Sequence, residues 1–258
     1  MTIQRNPPTI SGFTPASGLV GSSVTINGAN FTGATAVTLN GVGVTFSVSS
    51  DTVIVATVPA TTTGPLSVTT PSGTATSTSN FTVRLPLSAR KAGNGAGTVT
   101  SVSNPANATQ INCGASCSAI YDSGMAVTLT ATPATGSDYT SWSGCDSVSG
   151  AMCTVTMNAA KSVTATFTLK RFPVSVTKAN LLTGSGTVTA TSNPSSPNQI
   201  NCGSNCSVLY NYGTVVTLTA TPDLLSLFNG WNGCDSASGT TCTVTVTSSR
   251  SVTANFLP

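Results

Sequence analysis

Apolar and polar residues alternate along almost the whole chain, with a period of two. In the N-terminal third, Val24 and Ile26, Val37 and Leu39, and Val44, Phe46 and Val48 each form such a set. Val53 and Val55, Leu66 and Val68, and Phe81 and Val83 continue it, with turn residues at Gly18, Gly21, Gly28, Asn40-Gly41 and Gly64-Pro65 between them. This period sends successive side chains to opposite faces of a strand, so each set predicts a short half-buried strand. Further on, Val127, Leu129 and Ala131 alternate with threonines, as do Val216, Leu218 and Ala220. No stretch has the spacing of an amphipathic helix. The predicted fold class is all-β: a β-sandwich over residues 1–84, then two tandem small β-domains stapled by disulfides.

The C-terminal two thirds is a duplication. Residues 97–169 align with 186–258 at a constant offset of 89 without a gap. GTVT recurs at Gly97 and Gly186, QINCG at Gln110 and Gln199, and VTLTATP at Val127 and Val216. Leu85-Pro86-Leu87-Ser88 matches Phe172-Pro173-Val174-Ser175 after a two-residue adjustment, which extends the units backwards. The predicted domains are therefore 1–84, 85–170 (repeat 1) and 171–258 (repeat 2). Junctions at Val83 to Leu85 and Leu169 to Phe172 leave almost no spacer, so hinging between modules is expected to be restricted.

Residues 7–84 also resemble a known family. Pro8-Thr9-Ile10, Thr14-Pro15, Gly18, Gly21, Val24-Thr25-Ile26-Asn27-Gly28 and Asn30-Phe31 look like the signature of the IPT/TIG domain. The resemblance implies a seven-stranded immunoglobulin-like sandwich used as a spacer or binding module. Residues 85–258 resemble the divergent internalin-type B repeat of bacterial secreted and surface proteins. Gly97-Thr98-Val99, Cys113-Gly114 with Cys117, Trp142 with Gly144-Cys145, Cys153-Thr154-Val155 and Phe167 carry it, and all recur in the second copy. That resemblance implies a compact, mostly β module without an active site.

Eight cysteines in two sets of four are the most informative chemistry. Disulfides persist in oxidising compartments and compensate for small cores, so an exported, extracellular or cell-surface protein is expected. Spacing favours Cys113 with Cys117 and Cys145 with Cys153, then Cys202 with Cys206 and Cys234 with Cys242. Three pairings per repeat remain formally open. The opening residues Met1 to Pro8 lack the apolar run of a signal peptide, so the export signal is expected to lie elsewhere. No later run is long and apolar enough for a membrane span.

Composition narrows the function. Only 6% of residues are charged, His is absent, and all six acids are Asp. General acid–base catalysis and zinc hydrolysis rely on His or Glu, so no enzyme, cofactor or metal site is expected. The Cys-x3-Cys and Cys-x7-Cys spacings do not fit the usual zinc knuckles. Nine basic residues give a net charge of +3 but no patch, which argues against nucleic acid. Arg84, Arg90 and Lys91, and Lys170, Arg171 and Lys178, read as solvated linker residues at the junctions. Asp51, Asp122, Asp146 and Asp235 read as turn or capping residues rather than a calcium cluster.

Aromatic residues leave two roles to assign. Trp142 and Trp231, with Tyr139 and Phe228, lie close before a cysteine and are expected to fill the core over the sulfurs. Tyr121, Tyr210 and Tyr212 lie in turn-like stretches and are the candidates for exposed contacts to a glycan or protein partner. Ala126 to Thr132 and Val215 to Thr221, uncharged and rich in β-formers, are candidates for self-association if they lie at a sheet edge. The function expected is that of a non-enzymatic extracellular stalk or adhesive module. A carbohydrate- or protein-binding module, and a self-assembling subunit, are the alternatives.

Overall fold

A computed structural model describes residues 6–106, 109–114, 116–180 and 184–258. Residues 1–5, most of the opening polar stretch, lie outside the described set. The described residues contain no helix. Contacts divide the chain into two compact units, the first holding the residues up to Ala92 with Thr98–Thr132 and Thr140–Thr166. The second holds Gly93–Gly97, Pro133–Tyr139 and Phe167–Pro258.

In the N-terminal part the strands are β1 (Thr9–Thr14), β2 (Ser17–Leu19), β3 (Ser23–Ala29), β4 (Ala36–Leu39) and β5 (Val42–Gly43). They continue as β6 (Phe46–Ser50), β7 (Val53–Thr57), β8 (Gly64–Thr70) and β9 (Gly73–Ala92). One sheet has the order β1-β3-β7-β6; the other runs β9-β8-β4-β5, with β2 parallel to β9. Val24, Ile26, Val37, Leu39, Leu66, Val68, Phe81 and Val83 are buried as their alternation predicts. Gly28 sits where β1 passes closely, and a Cβ there would lie 1.9 Å from the Thr9 carbonyl oxygen.

The register of β7 departs from the expected one. Ile54, Ala56 and Val58 are buried, whereas Val53 and Val55 are only half-buried. Four consecutive apolar residues at this point carry no usable period, and β7 is a central strand paired on both sides. Val48 is exposed because β6 is an edge strand.

Strand β9 is 20 residues long and runs through the expected junction at 84/85 without a break. Its first half pairs with β8 as far as Phe81, Thr82 to Arg84 pair with β2, and Leu87 to Ala92 pair with a strand of repeat 1. Val83, Leu85, Leu87 and Ala89 are all buried, so the alternation carries straight across. Arg84, Arg90 and Lys91 are therefore strand residues and not linker residues: Arg84 and Arg90 take the outward positions of the same period, and Lys91 is exposed near the end of the strand.

Repeat 1 adds β10 (Gly97–Asn104), β11 (Ser118–Asp122), β12 (Ala126–Pro133) and β13 (Ser137–Ser143). Its remaining strands are β14 (Ser147–Ser149), β15 (Met152–Thr156) and β16 (Lys161–Leu169). Repeat 2 follows with β17 (Arg171–Asn180), β18 (Gly186–Asn193), β19 (Ser207–Asn211) and β20 (Val215–Pro222). It ends with β21 (Leu227–Asn232), β22 (Ser236–Ser238), β23 (Thr241–Thr245) and β24 (Arg250–Leu257).

Both repeats build the same pair of sheets. Repeat 2 has β19-β17-β24-β21 and β18-β20-β23-β22; repeat 1 has β10-β12-β15-β14, and β11, β16 and β13 gathered about β9 in the matching order. Not every pairing is antiparallel: β17 runs parallel to β24, and β9 parallel to β16. The first and last strands of a unit are joined through the entire module, which permits parallel pairing that a hairpin would forbid. Valines, Leu218, Tyr210, Phe256 and Cys242 fill the core of repeat 2. The segments Ala126 to Thr132 and Val215 to Thr221 lie in β12 and β20, each with neighbours on both sides, and so present no free edge.

Candidate functional site

Each repeat gathers its chemistry around its cysteines. Cys113 is joined to Cys117 and Cys145 to Cys153; in repeat 2, Cys202 is joined to Cys206 and Cys234 to Cys242. No cysteine is free. The first bridge of each repeat closes a tight turn, with Asn112 and Asn201 forming isolated bridges to Thr100 and Thr189. The second clips the loop entering the short outer hairpin to its inner strand, β14 to β15 and β22 to β23. Among the described residues no group of three His, Cys, Asp or Glu is arranged to hold a metal ion.

Trp142 is buried and its indole N–H donates to the Ala151 carbonyl at 2.9 Å, closing the ring over the β14–β15 hairpin. Trp231 is half-buried and stands 5.3 Å from Phe228, centroid to centroid, with Phe228 in turn 5.6 Å from Phe256. Its indole N–H has no hydrogen-bond partner. Tyr139, the counterpart of Phe228, meets Phe167 edge-on at 6.4 Å. Burial pushes the Tyr139 phenol above its ordinary pKa.

Tyr121 and Tyr210 correct the sequence reading. Expected as exposed ligand contacts, they are 0% and 1% accessible, the largest fully buried side chains in the chain. Tyr121 pairs with Leu85 across β11–β9, and Tyr210 with Phe172 across β19–β17, which turns both rings into the core. Alternation with Ala119 and Val208 dictates the same face. Each phenol is paired inside. Tyr121 Oη lies 2.6 Å from Ser101 Oγ and 3.2 Å from Gln110 Oε1, while Ser101 Oγ accepts the Ile111 N–H at 2.7 Å.

Repeat 2 has Ala190 in place of Ser101, and Tyr210 takes over the missing hydroxyl's work. Its Oη accepts the Ile200 N–H at 3.3 Å and donates to Gln199 Oε1 at 3.1 Å. Desolvation raises the Tyr210 pKa, with the Ile200 N–H pulling the other way. The glutamines of the two QINCG motifs are the signal that would have found this: each stands 11 residues before its tyrosine. Tyr212 is half-buried, its ring lying over Gly136, where an added Cβ would come within 2.1 Å of it.

The aspartates also do more than cap turns. Asp146 accepts the Thr156 N–H at 2.6 Å and forms an ion pair with Lys161; Asp235 accepts the Thr245 N–H at 2.6 Å and pairs with Arg250 at 2.6 Å. Asp122 faces Arg84 at 3.4 Å. Asp51 accepts the backbone N–H groups of Asn30 at 3.3 Å and Thr32 at 3.1 Å, far along the chain rather than in its own turn. Lys170 faces Asp138 at 3.6 Å, and Lys178 Nζ donates to the Gly186 carbonyl at 3.1 Å. These basic residues are tied to the modules and are not solvated linkers.

Lys161, ahead of the Thr156 N–H, holds the Asp146 carboxyl below its ordinary pKa; for Asp235 the Thr245 N–H leads and Arg250 follows. A pKa lowered by folding gives stability that is complete above the ordinary carboxylate value of about 3.9. It is lost as pH falls through the lower, folded value. We therefore expect thermal stability to drop on acidification below about pH 4, and to drop less in an Asp146→Asn, Asp235→Asn double variant. Melting curves across pH 2–6 check this.

Of the clefts, one between Asn30, Thr32, Asp51 and Thr70 measures about 340 Å³, with its carboxylate already engaged. Another, about 290 Å³, lies beside Arg171 and Pro194. A third, of about 480 Å³, is lined by Leu19, Val20, Ala60, Leu85, Pro86 and Ala160.

Comparison with known proteins agrees with the architecture. The divergent InlB B-repeat domain matches residues 110–171 and 176–258, more than half of the chain, and the IPT/TIG domain matches 8–84. No curated protein matches it in sequence. The solved structures similar to it include the Bacillus anthracis TIE protein, 9% identical over 95% of this chain and 57% of that one, with a TM-score of 0.45. A C-terminal fragment of the pilus adhesin SpaC from Lactobacillus rhamnosus GG is 9% identical over 68% of this chain and 97% of that one, at 0.40. The gamma-CGTase of alkalophilic Bacillus clarkii is 17% identical over 66% of this chain, at 0.32, and this chain spans only 29% of its length. By the match of its two C-terminal modules, the chain belongs to the divergent InlB B-repeat domain family, and it carries an IPT/TIG domain ahead of them.

Proposed function

We propose that this chain is a non-enzymatic extracellular module, the stalk or spacer of a bacterial surface or secreted protein, with domains at 1–84, 85–170 and 171–258. The observation that carries the reading is β9. One uninterrupted strand of 20 residues ends the first domain and begins the second, with hydrogen-bonded partners on both sides of the junction. Such a connection transmits force through a ladder of backbone hydrogen bonds and leaves no hinge. A spacer needs that property, whereas a catalyst that closes on a substrate does not.

Two further observations support it. Disulfides of this number fit an oxidising, extracellular address. The chain has no His and no Glu, so an acid–base pair would have to be made from Asp, Lys or Tyr. Recognition of glycan or protein through Tyr121 and Tyr210 is disfavoured by the burial of both rings.

Hydrogen exchange tests the junction. Amides of Phe81 to Leu85, Leu87 and Ser88 are expected to be as protected as those of β8 and β12, exchanging only on global opening. Fast exchange there would replace the spacer by hinged beads. Titration against panels of polysaccharides and matrix proteins addresses the rival: saturable binding abolished by one surface substitution would make this a recognition module instead.

A further inference from the structure

The two repeats share one fold, so matching positions serve as internal controls for each other. Arg84 and Arg171 stand at the same place, directly before Leu85-Pro86 and Phe172-Pro173. Across the ladder Arg84 is opposite Asp122, whereas Arg171 is opposite Asn211. In repeat 1 the pair is ionic, with Arg84 Nε 3.4 Å from the Asp122 carboxylate. Repeat 2 keeps the arginine and has an amide in place of its counter-ion.

No carboxylate among the described residues lies within ion-pair distance of Arg171. Its guanidinium makes one hydrogen bond, from Nη2 to the Leu209 carbonyl at 3.1 Å, out of the five N–H donors such a group carries. The residue is exposed and borders the cleft of about 290 Å³. Asn94, Asn211, Ser195, Thr214 and Pro194 line the same cleft, all within the second unit, and no lining residue is acidic. Asn94 is fixed in place, because its Oδ1 accepts the Leu169 N–H at 3.1 Å, and its Nδ2 donors are left for a ligand. The Ser196 N–H donates to Ser192 Oγ at 2.9 Å, which holds the wall that follows Pro194.

We propose that this cleft binds a uronic acid, the sugar carboxylate taking the place beside Arg171 that Asp122 fills beside Arg84. A planar guanidinium matches a carboxylate with two parallel hydrogen bonds, which a neutral sugar cannot supply. The amides and hydroxyls around it exchange hydrogen bonds with ring hydroxyls, and a simple carboxylate would leave them unused. The volume lies at the lower end for small-molecule sites, about 300 Å³, which suits one sugar ring rather than a length of peptide. A net charge of +3 favours the approach of an anionic ligand. One ring in an open cleft is held weakly, with a Kd of about 1 mM or above. Contact of that strength gives a spacer a lateral foothold and falls short of a recognition module. The spacer reading rests on β9 and holds whether or not this site is filled.

Titration of the ¹⁵N-labelled chain with glucuronate and galacturonate up to about 20 mM, at constant ionic strength, tests it. The amide signals of Ser195, Ser196 and Asn211 are expected to shift, and glucose and galactose at the same concentrations are expected to leave them in place. Arg171→Gln removes the cation, and Asn211→Asp gives Arg171 the counter-ion that Arg84 has. Each is expected to lower the initial slope of the shift at Ser195 and Ser196 at least about tenfold, with an unchanged melting temperature showing that the repeat still folds. A galacturonate trimer separates the two sources of the ligand: shifts of the same amides assign the cleft to a unit within an acidic polysaccharide, and shifts with the monosaccharide alone assign it to a free sugar acid. Four results would overturn the proposal: no shift with either uronate, equal shifts with the neutral sugars, equal shifts with acetate or phosphate, or shifts at lower concentration with an aspartate-rich peptide. The third would leave only a general anion site, and the fourth would give the cleft to a protein partner.

Discussion

Replacing Tyr210 by alanine is expected to destabilise the second repeat by about 3–5 kcal/mol, the usual cost of truncating a large buried aromatic. The ring is 1% accessible and sits among Val174, Val188 and Phe256. Its hydroxyl also serves the Ile200 N–H and the Gln199 side-chain carbonyl oxygen, both of which would be left inside without a partner. Tyr210→Phe isolates the second contribution and should cost less, on the order of 1–2 kcal/mol. The sister substitution Tyr121→Phe should be milder still, because Ser101 keeps its hydrogen bonds to Ile111 and Gln110. Urea titrations of the three variants check the order. A Tyr210→Ala protein as stable as the wild type would mean that the ring is not a core residue.

Reduction should act on a similar scale. Each bridge closes a short loop, of separation 4 or 8, and a loop that short still removes about 2 kcal/mol of unfolded-chain entropy. Two bridges per repeat then amount to about 4 kcal/mol, a large part of what a small domain has. Reductant should therefore open the repeats selectively. Hydrogen exchange of peptides from 97–169 and 186–258 should rise sharply, while peptides from β3, β4 and β7, in a domain without cysteine, should change little. Equal loosening of both regions would show that the bridges stabilise the chain as a whole and not locally.

What is legible in the sequence follows from what a period of two encodes. It marks strands and the face each one buries, which is why alternation alone assigns Val24, Ile26, Leu66 and Phe81 to a core, where they lie. Where four apolar residues run together at Val53 to Ala56, the period vanishes and with it the means of choosing the buried face. Strand direction is not encoded at all, so the parallel pairs β9–β16 and β17–β24 have no signature. Continuity of β9 is present in the alternation of Val83, Leu85, Leu87 and Ala89, but Arg84, Arg90 and Lys91 look like linker residues until their places on the strand are seen.

Tyr121 and Tyr210 are hard to place for a different reason. A phenol is both apolar body and polar tip, and its place depends on whether a partner waits inside. Here the partner is a glutamine on another segment, which strand periodicity does not link to the tyrosine. The leucine corner at 224–227 shows the reverse. Its residues are plain in the sequence, yet nothing in their spacing tells that Leu224, Leu225 and Leu227 stand exposed.

Everything proposed for the location of this protein rests on sulfur being paired within each repeat. Mass spectrometry of the intact native chain, alkylated without prior reduction and again after it, measures that directly. No alkylation is expected at first, then a gain of eight hydrogen atoms on reduction and eight labelled thiols. Eight thiols labelled at once in the native protein would refute the pairing, and with it the extracellular setting.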